Sequence, residues 1–143
     1  MPTVLNPYLS FRDNAREAMN FYQSVFGGAL TLSTFGDFQA SEDPAEAEKI
    51  MHGMLTSPQG LVLMGADTPN SMEYHPGSAI SISLSGADEV ELRGYYEKLS
   101  TGGGAVTVPM ETAPWGDVFG MCTDRFGVSW LFNVNAGQAT PAA

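Results

Sequence analysis

The sequence predicts an α+β chain built from two tandem βαβββ modules. Each module is a curved mixed sheet with a helix on one face and a concave cleft on the other. Three observations carry this. Two amphipathic stripes superimpose at a shift of 74 residues, Asn14 on Asp88 and Gly28 on Gly102. Strand-like segments flank both in the same order. The closing stretch, residues 115–133, reads as two strands around the tight turn Asp124-Arg125-Phe126-Gly127.

The first strand is expected over Val4–Phe11. The first helix follows over Asn14–Phe26, with Ala15, Ala18, Met19, Tyr22 and Val25 on one face at helical spacing. Asn14 followed three residues later by Glu17 has the form of a capping box, and Gly27-Gly28 supplies the stop. Strands are then expected over Ala29–Phe38, Lys49–Ser57 and Gly60–Met64. The polar, acidic segment Gly36–Glu48 reads as a solvated insertion or as a loop over a pocket. The second module repeats the order. It has a strand over Ala79–Leu84, a helix over Asp88–Leu99 with the stripe Leu92, Tyr95, Tyr96 and Leu99, and strands over Ala105–Met110, Asp117–Thr123 and Val128–Val134. The domain reading is residues 1–68, a turn-rich linker at 69–78, residues 79–135 and a disordered tail at 136–143, together one structural domain.

The chain has 143 residues, 43% hydrophobic and 10% aromatic, enough for a core. A net charge of −10 with no basic cluster speaks against nucleic acid as a partner. No leader and no membrane span are expected, since residues 1–7 carry no basic, long apolar stretch and no apolar run approaches membrane-spanning length. The lone Cys122 fits a reducing compartment, so a cytoplasmic protein is expected, with no membrane partner.

Four segments carry a family resemblance: Asn6-Pro7-Tyr8-Leu9-Ser10-Phe11; Ala18-Met19-Asn20-Phe21-Tyr22 leading to Phe26-Gly27-Gly28; Met51-His52-Gly53-Met54-Leu55 with Leu63-Met64-Gly65-Ala66-Asp67; and Trp115-Gly116-Asp117 with Asp124–Trp130. The chain resembles the vicinal oxygen chelate superfamily of glyoxalase I, bleomycin-resistance proteins and extradiol dioxygenases. Within it, it resembles the PhnB-like branch, often labelled 3-demethylubiquinone methyltransferase-like. No glycine-rich strand-to-helix turn suited to a nucleotide-type methyl donor is present.

The resemblance implies His, Glu or Gln ligands on the first and last strand of each module in metal-dependent members. Here the first strand offers Asn6 or Pro7, its repeat mate a residue among Ala79, Ile80 and Ser81, and the last strand Leu131. Pro, Ile and Leu side chains cannot ligate a divalent ion, so no metal ligand is assigned and no cofactor is expected. A deviant site from His52, Asp67 and Asn6 is the alternative.

His52 reads either as a general base in the cleft or as a structural histidine on a half-buried strand. His75, beside Pro76, reads as exposed. Cys122 reads as a nucleophile or as a buried inert thiol, and the second carries more weight. Trp130 reads as core and Trp115 as pocket rim. Met54, Asp67, Trp115 and Leu131 are the expected pocket residues. The methionines on the predicted strands read as core filling or as a plastic apolar surface. Together these point to a protein that binds a small apolar or planar molecule without the usual metal. The alternative is a lyase, isomerase or dioxygenase of the same superfamily using a deviant metal site or His52 as base. Family habit and an apolar module edge imply a homodimer.

Overall fold

The computed structural model describes residues 3–135. The expected tail, 136–143, lies outside the described residues. The chain divides into two compact units between Pro76 and Gly77.

The first unit runs β1 (Tyr8–Phe11), α1 (Ala15–Phe26), β2 (Ala29–Thr34), β3 (Ile50–Thr56) and β4 (Val62–Asp67). The second runs β5 (Ser81–Gly86), α2 (Glu89–Ser100), β6 (Ala105–Thr112), β7 (Val118–Thr123) and β8 (Ser129–Val134). The sheets have the order β1-β4-β3-β2 and β5-β8-β7-β6. In each, the outer first strand is parallel to the last, and the remaining pairs are antiparallel. Neither sheet closes on itself. Among the described residues no helix is long and apolar enough to cross a membrane.

Both helices lay their apolar stripe on one sheet face. Ala15, Ala18, Met19, Tyr22, Val25 and Phe26 of α1 are buried. Gly53 and Gly65 are cross-strand partners beneath it. A Cβ at Gly65 would stand 3.1 Å from Met19 Sδ, so the bare backbone makes room for the helix. On α2, Leu92, Tyr95 and Leu99 are buried. Tyr96 packs edge-on against Phe132 of β8, centroids 5.4 Å apart at 82°.

The caps differ. Asp88 accepts the Glu91 N–H at 3.0 Å and starts α2 as a local N-cap. The expected Asn14–Glu17 box is not formed, because Asn14 makes no side-chain cap bond. The carboxylate of Asp67, at the end of β4, takes that place. Its Oδ1 accepts the Ala15 N–H at 3.0 Å and its Oδ2 the Ile50 N–H at 2.9 Å. A negative group at a helix N-terminus also answers the helix dipole. One side chain thereby ties α1, β3 and β4 together.

Strand ends also depart from expectation. β1 starts at Tyr8 rather than Val4, with Pro7, which has no N–H, contributing only a carbonyl to Met64. β2 stops at Thr34 rather than Phe38. Thr34 N–H donates to Asp37 Oδ2 and Asp37 N–H to Thr34 Oγ1, a local pairing that competes with the ladder. The segment beyond holds two 3-10 turns, Gly36–Phe38 and Pro44–Glu46.

Glu46 anchors that segment. Its Oε2 accepts the Asn70 N–H at 2.7 Å, its Oε1 accepts the Ser41 hydroxyl at 2.8 Å, and Lys49 stands 3.8 Å away. The Asn70 N–H first, and Ser41 second, hold its carboxyl below the usual glutamate range. A carboxyl with a lowered folded pKa stabilises fully above its unfolded value and loses that contribution as pH falls through the lower folded value. Acidification through this window is therefore expected to lower the protection factor of the Asn70 amide, its exchange measured against the intrinsic rate at each pH. In Glu46→Gln that amide is expected to exchange faster already at neutral pH and to lose the acid-dependent step.

The Asp124–Gly127 turn closes β7 onto β8. Asp124 N–H donates to the Val128 carbonyl and Gly127 N–H to the Asp124 carbonyl, with Gly127 at φ 88°. Asp124 Oδ1 accepts the Phe126 and Val128 N–H groups at 2.8 and 3.1 Å, and Oδ2 accepts the Trp130 indole N–H at 2.9 Å.

Candidate functional site

Alternation along a strand sends neighbouring side chains to opposite faces. In each unit one face is under the helix and the other is open. The register fixes which residues stand side by side on the open faces.

In the first unit Tyr8, Met64, Met54 and Thr31 form one row across the sheet. The register shifts in β3, where Ser33 pairs with His52 but Thr34 with Ile50. That bulge leaves Ile50 buried on the helix side and turns His52 to the open face beside Met54. The Tyr8 hydroxyl lies 3.1 Å from His52 Nδ1, and the two rings are 5.6 Å apart, tilted by 36°. Burial pushes the Tyr8 hydroxyl above its usual pKa.

In the second unit the matching row is Ser83, Leu131, Met121 and Val108. The next holds Ser85, Asn133, Phe119 and Glu111. Trp115, in the β6–β7 turn, is 61% exposed and packs edge-on against Phe119 at 5.6 Å. Asn133 Nδ2 donates to Asp117 Oδ2 at 3.0 Å, holding that turn to β8.

Of the residues expected at a pocket, Met54 and His52 meet on the first unit's open face. Leu131 lies on the open face of the second, with Trp115 at its turn. Asp67 does not join them. It alternates with Leu63 and Gly65 toward the helix, is buried, and has both oxygens engaged by backbone N–H groups. This also separates it from His52, so the alternative His52–Asp67–Asn6 metal site is not assembled. Among the described residues no three His, Cys, Asp or Glu side chains gather where they could hold a metal ion. Tyr8 is the residue that sequence reasoning missed. Its partner lies 44 positions away, and the register of β1 was open.

Trp130 is buried in the second unit's core. His75 is exposed, 3.0 Å from Glu73. Cys122 faces the helix side and is 1% exposed. Burial first, and the Asp124 charge second, push its thiol up to about 11. A thiol at that value is almost wholly un-ionised at neutral pH. Native protein is expected to resist iodoacetamide at pH 7.5 and to alkylate only after denaturation, as read by intact mass.

The profile of the glyoxalase/bleomycin resistance protein/dioxygenase superfamily matches residues 4–132. The chain belongs to this superfamily. Its open-faced βαβββ units are shared with the crystal structure of protein PA1353 from Pseudomonas aeruginosa. That protein is 36% identical, with a TM-score of 0.80 over 94% of this chain and 98% of that one. The PhnB protein from Bacillus cereus is 26% identical, with a TM-score of 0.70 over 93% and 100% of the two chains. Protein YjdN of Escherichia coli (strain K12) is 28% identical over 147 residues, covering 95% of this chain and 98% of its own length. The PhnB-like character read from the four sequence segments is thus shared with relatives along nearly the whole chain.

Proposed function

We propose that this superfamily member binds a small apolar or planar molecule on its open sheet faces, without a metal. One observation carries the reading. The open-face rows set Tyr8 beside Met64 in one unit and, in the other, Ser83 beside Leu131, the place where the resemblance expects a last-strand ligand. A thioether and an isobutyl group at those places do not fit a hard or borderline divalent cation. They do suit apolar ligand surface, with Met54, Met121 and Phe119 in the same rows. Trp115 offers a face for stacking. A homodimer in a reducing compartment completes the proposal, supported by exposed Val106 and Val108 on edge strand β6 and by the free thiol of Cys122.

The test is native mass spectrometry with elemental analysis of purified protein. A bound organic molecule and a dimeric mass are expected. Stoichiometric Zn, Ni, Mn or Fe would overturn the metal-free reading. Leu131→Glu probes the same face. Half-buried at an open surface, it is expected to cost only about 1 kcal/mol, or about 4 °C in Tm. A variant that fails to fold would place Leu131 in a closed core instead.

The second reading is a lyase, isomerase or dioxygenase of the superfamily with His52 as base. The position of His52 on the open face favours it.

A further inference from the structure

The surroundings of the Tyr8–His52 pair decide what His52 offers a ligand. Asp67 is the only charged residue in the four strands of the first unit, and it faces the helix. No carboxylate of these strands therefore stands on the open face to accept an Nδ1–H. The group against Nδ1 is a phenol, which is both a donor and an acceptor. With no carboxylate of these strands to accept from Nδ1, the phenol O–H, 3.1 Å from the ring nitrogen, is taken as the donor to its lone pair. A neutral imidazole carries one proton. With Nδ1 accepting, the proton is on Nε2.

We infer that Tyr8 is a positioning residue that fixes His52 as an Nε2–H donor, and that this donor receives an oxygen acceptor, a carbonyl, on an apolar ligand lying over Met54 and Met64. The inference rests on the reading of the open face as a binding surface and names the ligand class it takes. Met54 and Met64 are cross-strand partners flanking the pair. They supply adaptable apolar contact, and the histidine supplies one directional bond. A His52 locked this way has no lone pair turned to the ligand. The pair therefore argues for recognition and against proton abstraction.

Long-range proton–nitrogen spectra of the His52 ring in the full chain at pH 7.5 test the first half without any ligand. Nε2 is expected as the protonated nitrogen. Removing the hydrogen bond in Tyr8→Phe is expected to raise the Nδ1–H population by about five-fold. A wild-type ring protonated on Nδ1 overturns the inference and returns His52 to the role of base. So does a tautomer ratio that Tyr8→Phe leaves unchanged.

Binding tests the second half, with acetophenone and isopropylbenzene as size-matched probes read by the methyl carbons of Met54 and Met64. Acetophenone is expected to bind about five-fold more tightly, with the preference lost in His52→Ala. Equal binding of the two probes overturns the carbonyl assignment and leaves the binding surface standing. No methyl shift with either probe at its solubility limit overturns the binding reading of this face, and the carbonyl assignment with it. The ring spectra decide the tautomer in every case.

Discussion

Asp124→Ala is expected to cost about 3–5 kcal/mol, because three donors lose their acceptor at once. Two are the Phe126 and Val128 amides within the β7–β8 turn, and the third is the indole of the buried Trp130. The amides can recover part of the loss from water at the turn. The indole N–H cannot, since its bond to Asp124 is buried. Asp124→Asn separates the two effects. It can keep an oxygen toward the amides, but then presents an NH2 to the indole N–H, donor against donor. An intermediate loss is expected in urea denaturation. Trp130→Phe removes the indole donor and, combined with Asp124→Asn, is expected to cost less than the sum of the two single changes. If Asp124→Ala proves as stable as the parent, the carboxylate is not the organising group of the turn.

Gly28→Ala is expected to cost about 2–5 kcal/mol, from a left-handed backbone and from a clash. Gly28 has φ 93°, and a Cβ there would stand 2.0 Å from the Thr56 carbonyl oxygen and 2.7 Å from Ser57 Cα. Both obstacles are backbone at the end of β3, so no side chain can swing away. Gly127 supplies the control. Its φ is similar, but a methyl group there would meet nothing within 4 Å. Gly127→Ala should therefore show conformational strain alone, about 1–2 kcal/mol. Equal losses at the two positions, measured by urea midpoint, would mean that the clash at Gly28 is relieved by backbone movement.

The helices were legible because a 3.6-residue stripe and a glycine stop are local signals. Both begin within a residue of expectation, and they keep the 74-residue offset, Ala15 to Glu89. Met54 and Leu131 stand on the open faces because strand alternation, a local property, sends them there. Asp67 was not read correctly. Its partners, Ala15 and Ile50, are 52 and 17 residues away, and only the parity of β4 hinted that it shares a face with Leu63. Simple alternation also places Ile50 and His52 on one face. The bulge in β3 breaks that alternation, and it is a property of the β2–β3 register rather than of the β3 sequence alone.

The order of strands has a consequence for how the protein is made. In each unit the last strand to be synthesised lies inside the sheet, β4 between β1 and β3, β8 between β5 and β7. A nascent unit thus carries two unpaired edges until its final strand emerges from the ribosome. The clasp at Asp67 arrives only with the last residue of β4, so α1 is left uncapped until then. Completion of the sheet is a late, long-range event, the kind of step that slows folding and leaves intermediates open to edge pairing with other chains. A pause in translation that keeps β4 inside the ribosome after β3 has emerged would hold the first unit in that vulnerable form.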